Sequence, residues 1–157
     1  MLAQVPPKAP LPKPLIRIEP NPIRSGVTSI YTDAAWNSSS ESARLGWIID
    51  ALVSPSHHSA TSDHMSSPLM AKALAVRSAI NFALSCGIDA ISLLSDSQTL
   101  ISTINHIEMK LEIFNILRDI YLNTSSFKTI WFIFISRSVN DKADSVAKKA
   151  MWPLNPF

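Results

Sequence analysis

The run "DAISLLSD", Asp89 to Asp96, is short and almost continuously apolar between its two acids. A strand with one wet face alternates apolar and polar residues. This one does not, so it has to be covered on both faces. Strands of that kind belong to sheets whose connections run through helices, and the flanking sequence agrees. Upstream, Pro68 opens a helix, with Ser66 and Ser67 before it as caps. The helix runs to about Cys86 and stops at Gly87. Downstream, "SQTLISTINHI" and "KLEIFNILRDIYLNTS" read as helices.

Three further runs precede the first helix. "GVTSIYTDAAW" is rich in β-branched residues and reads as a strand ending near Trp36. "ARLGWIIDALV" follows a Ser-rich turn at 38–42 and reads as a second strand, and "HHSATSDHM" as a weak third. "FKTIWFIFISR" is a strong strand, and "NDKADSVAKKAMW" a closing helix with Lys148 and Lys149 near its C-terminus, where the helix dipole favours them. The order is β-β-β-α-β-α-(α)-β-α. Three strands in a row, then strands separated by helices, imply an α/β fold: a five-stranded mixed sheet flanked by helices on both faces.

Seven of the eleven prolines fall in residues 1–22, with Lys8, Lys13, Arg17 and Arg24 among or just after them. Such a segment builds neither a helix nor a ladder. Residues 1–26 are therefore expected to be an extended linker or tail, residues 27–151 the folded domain, and residues 152–157 a second tail. The domain can bury a core, since hydrophobic residues make up 46% of the chain and charged ones only 17%. Cys86 is the only cysteine, which excludes a disulfide framework or a thiolate metal site and suits a reducing compartment. No apolar run is long enough to span a bilayer.

Three acids stand at element ends. Asp33 lies near the end of the first strand, Asp96 ends the buried strand, and Asp144 lies in the first turn of the last helix, after Arg137 and Asn140. A lone carboxylate beside a buried run is costly. Acids at neighbouring strand ends and a helix start can converge, and a converged cluster repels itself unless cations neutralise it. Hard divalent ions, Mg²⁺ or Mn²⁺, suit oxygen ligands. Within the first helix, Arg77 and Asn81 share a polar face, while Lys72 lies opposite, among Ala75, Val76, Ala79 and Ala83. A charged residue thus points to the side that should be buried. His57, His58 and His64 match no zinc spacing and read as solvated, and His106 as a surface residue. Trp36, Trp47 and Trp131 read as core or sheet-packing residues.

"TDAAW" with "GWIID", then "MAKALAVRSAI", "SDSQTLI" and "RSVNDKADSVAKKA", together resemble the ribonuclease H domain, in its plant reverse-transcriptase-like branch of non-LTR retroelements. The resemblance implies metal-dependent cutting of RNA in RNA–DNA hybrids, with four carboxylates holding two Mg²⁺ ions. It assigns Asp33 as the first carboxylate, Asp96 as the third and Asp144 as the fourth. Lys72 stands where the family has a Glu, in "AKALAVR". An ammonium has three donors and no lone pair, so it cannot ligate a metal. It can pair with Asp33 or Asp96 as their counter-charge, or swing toward solvent. The expectation is a site with one ion at most and little or no cleavage. Arg137, Asn140 and Lys142 are expected to contact nucleic acid or fix their loop, with Lys148 and Lys149 as a basic rim. The resemblance further implies a retrotransposon-derived protein; the chain is separately expected to be a monomer, without membrane attachment, in the nucleus or cytoplasm.

Overall fold

The computed structural model describes residues 26–50, 55–141 and 143–144. The expected N-terminal tail, except Gly26, and the expected C-terminal tail lie outside these residues, as do Lys142, Lys148 and Lys149.

The five strands expected from the sequence are β1 (Thr28–Asn37), β2 (Ser42–Asp50), β3 (Ser56–Ser62), β4 (Ala90–Ser95) and β5 (Thr129–Phe134). They form one sheet in the order β3-β2-β1-β4-β5. The first three are an antiparallel meander, while β4 and β5 join in parallel, so the sheet is mixed. The parallel pairs agree with the chain order: helices separate β4 from β5, and the chain passes through β2, β3 and a helix before β4 pairs with β1, so neither pair is closed by a hairpin.

Helix α1 (Pro68–Ser85) matches its sequence signals closely. Ser67 Oγ accepts from the Met70 N–H, and Pro68 fills the first turn. At the other end Gly87 has φ +76°, which terminates the helix without a Cβ penalty. Ala71, Ala75, Ala79 and Ala83 recur every four residues and are fully buried. This row of small side chains lets α1 approach the sheet closely. Val76 and Ile80 pack beside it against Ile30, Leu45, Trp47, Ile91 and Leu93. The polar face carrying Arg77 and Asn81 meets α3 (Phe114–Thr124). Arg77 pairs with Asp119 at 2.9 Å, and Asn123 donates to Asn81 at 3.1 Å.

The stretch expected as one helix over 110–125 is a 3-10 turn, Leu111–Ile113, leading into α3. Helix α2 (Gln98–Asn105) lies against β5, and Asn105 donates to Phe132 O at 3.0 Å. That bond satisfies a carbonyl on an edge strand which would otherwise be open to pairing. On the other sheet face Leu94, Ile133 and Ile135 form a smaller cluster with Tyr31 and Trp131. The expected closing helix begins at Asp141, and the residues after Asp144 lie outside the described ones. Among the described residues no helix is long and apolar enough to cross a membrane.

Candidate active site

The parallel register of β1 and β4 builds the site. Thr28 lies level with Ile91 and Tyr31 with Leu94. The same offset carried two residues further brings Asp33 level with Asp96, just past the end of β4. Thr32 Oγ1 donates to Leu94 O at 3.1 Å and ties the two strands together at this point. Ser97 then caps α2, its Oγ accepting from the Leu100 N–H at 3.2 Å. Its own N–H is held by Ser95 Oγ at 3.1 Å. Asp96 is thus fixed between a strand end and a helix start.

Lys72 enters from α1. Its Nζ lies 2.8 Å from Asp96 Oδ1 and 3.5 Å from Asp33 Oδ1. The side chains of Asp96 and Asp33 are 2% and 4% exposed, and that of Lys72 is 17% exposed. The inward-facing lysine therefore has two buried carboxylates as partners. Arg137 adds a second cation, its Nε 3.8 Å from Asp96 Oδ2. That distance is too long for a hydrogen bond, and Asp96 Oδ2 is buried without one. Arg137 is 78% exposed, so solvent screens this pair.

Asp33 accepts from the Ala34 N–H at 2.8 Å. Burial nevertheless raises its pKa from the ordinary 3.8 to about 6. Lys72 and the Ala34 N–H oppose the rise, while the charges of Asp96 and Asp144 add to it. Asp144 is therefore close enough to act on Asp33, and the three acids share one electrostatic site. Its backbone N–H bonds to Asn140 O at 3.2 Å, in the first turn of the closing helix.

Asn140 is fully buried. Its Nδ2 donates to Thr32 O at 2.9 Å, which fastens the 136–141 turn to β1 beside Asp33. Of its two expected roles, the geometry supports fixing the loop. Among Arg137, Asn140 and Lys142, only Arg137 is described and exposed. Thr32 and Ser95 support the site without having been singled out in the sequence, because a Thr or Ser in a strand carries no local mark of such a bond. His57 and His64 are exposed, but His58 packs on Phe82 and Trp47, with ring centroids 4.2 and 6.0 Å away. Burial and the neighbouring His57 lower its pKa.

The donor set does not fit a two-ion centre. Lys72 Nζ stands within ion-pair reach of both Oδ1 atoms, and an ammonium has no lone pair to offer a metal ion. Among the described residues no group of three or more His, Cys, Asp or Glu side chains is arranged to hold a metal ion.

The sequence model of the reverse transcriptase-like family matches residues 31–150. No curated protein matches the chain. Solved structures do. Ribonuclease H1 from the halophilic archaeon Halobacterium salinarum NRC-1 is 20% identical, with a TM-score of 0.72, covering 79% of this chain and 96% of that one. LC11-RNase H1, isolated from compost by a metagenomic approach, is 18% identical with a TM-score of 0.71, covering 80% and 95%. The N-terminal RNase H domain of rv2228c from Mycobacterium tuberculosis, solved as a fusion with maltose-binding protein, is 16% identical with a TM-score of 0.69, covering 79% and 98%. At these identities the likeness establishes the fold, which is ribonuclease H-like.

Proposed function

The chain belongs to the reverse transcriptase-like family, and from that premise we propose a nucleic-acid-binding domain of the ribonuclease H type in which RNA–DNA hybrid cleavage is impaired. The observation that carries the reading is the position of Lys72, with Nζ 2.8 Å from Asp96 and 3.5 Å from Asp33. Replacing a Glu by a Lys at that place changes the local charge by two units. At about 4 Å and an effective dielectric near 20, each unit interaction is worth roughly 4 kcal/mol. That is enough to expel at least one of two dications, so the reading allows one Mg²⁺ or Mn²⁺ at most.

The substrate is read as an RNA–DNA hybrid. Such a duplex is recognised mainly by shape, through backbone and 2′-hydroxyl contacts. The exposed Arg137, beside the acids, is suited to a phosphate. Descent from a plant retroelement, an intracellular setting and a monomeric state extend the same reading.

The test is binding and hydrolysis of a labelled RNA–DNA hybrid in Mg²⁺ and in Mn²⁺, by wild type and by Lys72→Glu. Salt-sensitive binding with weak or no cutting by wild type is expected, together with faster cutting by the Glu variant. Wild-type turnover equal to that of Lys72→Glu would refute impairment. Absence of binding at low salt would refute the nucleic-acid reading. Binding without cutting by either protein would leave a binding module alone.

A further inference from the structure

Two carboxylates that are almost wholly buried cannot both stay ionised without a cation beside them. The chain supplies that cation itself. We infer that the Lys72 ammonium is the resident cation of this pocket, standing in for a divalent ion, so that the fold and its hold on nucleic acid are independent of Mg²⁺ and Mn²⁺. The inference rests on the reading of the site as a ribonuclease H-type centre and says which cation serves it.

The geometry favours substitution over mere intrusion. Lysine can snorkel, and a side chain 17% exposed at the first turns of a helix has a route to solvent. Nζ instead turns inward and meets two carboxylates from separate strands, at 2.8 and 3.5 Å. It lies within ion-pair reach of both acids at once. Lys72 rises from the face of α1 that carries Ala75, Val76 and Ala79, all fully buried, so its side chain starts out toward the sheet rather than toward solvent. Among the described residues Asp96 Oδ2 has no hydrogen-bond partner, and the nearest other cation, the 78% exposed Arg137, stands 3.8 Å from it, so Lys72 is the closer charge on this acid. A mobile ion stabilises a fold only by mass action, through its concentration and affinity. A tethered ammonium has no free concentration and is not lost to a chelator.

The experiment compares thermal melting of the full chain in EDTA and in millimolar Mn²⁺ or Mg²⁺, with Mn²⁺ calorimetry alongside. The proteins are wild type, Lys72→Gln, Lys72→Glu and the double variant Asp33→Asn with Lys72→Gln. Wild type is expected to melt at the same temperature in chelator and in metal, with no calorimetric binding. Lys72→Gln should melt several degrees lower in EDTA and regain part of the loss in Mn²⁺. Lys72→Glu should lose and regain more. If Lys72→Glu fails to fold in either solution, Lys72→Gln decides. Adding Asp33→Asn to Lys72→Gln should restore stability in EDTA, an outcome that loss of lysine packing alone does not give. A wild type that gains as much from Mn²⁺ as Lys72→Gln would overturn the inference, and so would a Lys72→Gln unaffected in EDTA. Hybrid binding by wild type should be equal in EDTA and in Mg²⁺. A wild type that ignores metal in melting yet binds no hybrid sinks the nucleic-acid reading and leaves the resident cation standing.

Discussion

Asp33→Asn is expected to stabilise the protein at neutral pH, although it removes a partner of Lys72. Burial is the largest influence on Asp33 and raises its pKa from 3.8 to about 6. A rise of that size corresponds to roughly 3 kcal/mol of disfavour for the ionised form in the folded state. The native carboxyl keeps its proton to a higher pH than the unfolded chain does. Between about 3.8 and about 6 the native state therefore binds more protons, and this group's contribution to stability falls as pH rises through that window. Above about 6 the loss is complete. Asparagine carries no charge to desolvate, and its Oδ1 can still accept from the Ala34 N–H, now 2.8 Å from the carboxylate. Lys72 keeps its nearer partner, Asp96, at 2.8 Å. The attraction of Lys72 is already contained in that rise, so a net gain of up to about 3 kcal/mol is expected above pH 6 and none near pH 4. Urea unfolding of both proteins at steps from about pH 4 to about pH 8 reads the difference directly. If the variant is less stable throughout, or the gap does not widen across the window, the account of Asp33 as a strained buried acid fails.

Asn140→Ala should cost about 1–3 kcal/mol in urea unfolding, because Thr32 O loses its buried donor and the 136–141 turn loses its tie to β1. Arg137→Ala should leave stability within about 0.5 kcal/mol, since the residue is 78% exposed. It should also lower the salt slope of hybrid binding by about one unit, measured by fluorescence anisotropy in graded salt.

Much of the frame was legible along the chain. The caps and stop of α1 are local chemistry, written in Ser67, Pro68 and Gly87. The buried strand declared itself by losing its alternation. Lys72 was marked by helical period alone, which set it among residues that proved fully buried. The division of 110–125 into a 3-10 turn and a helix was not legible, because both share nearly the same local periodicity. The role of Asn140 was left between a loop tie and a phosphate contact, and its partner is 108 residues away.

What the sequence determined by itself was the order of elements and the opposite facing of Lys72 and Arg77 on the first helix, since both follow from spacing between near neighbours. Tertiary structure alone decided that Asp33 and Asp96 stand level, because their register is fixed by pairing between strands that a helix separates. It also decided that the lysine amine meets both acids, and how strongly burial holds a proton on one of them. Those are properties of distance and dielectric, and they come into being only when the strands and helices close around the same few ångströms.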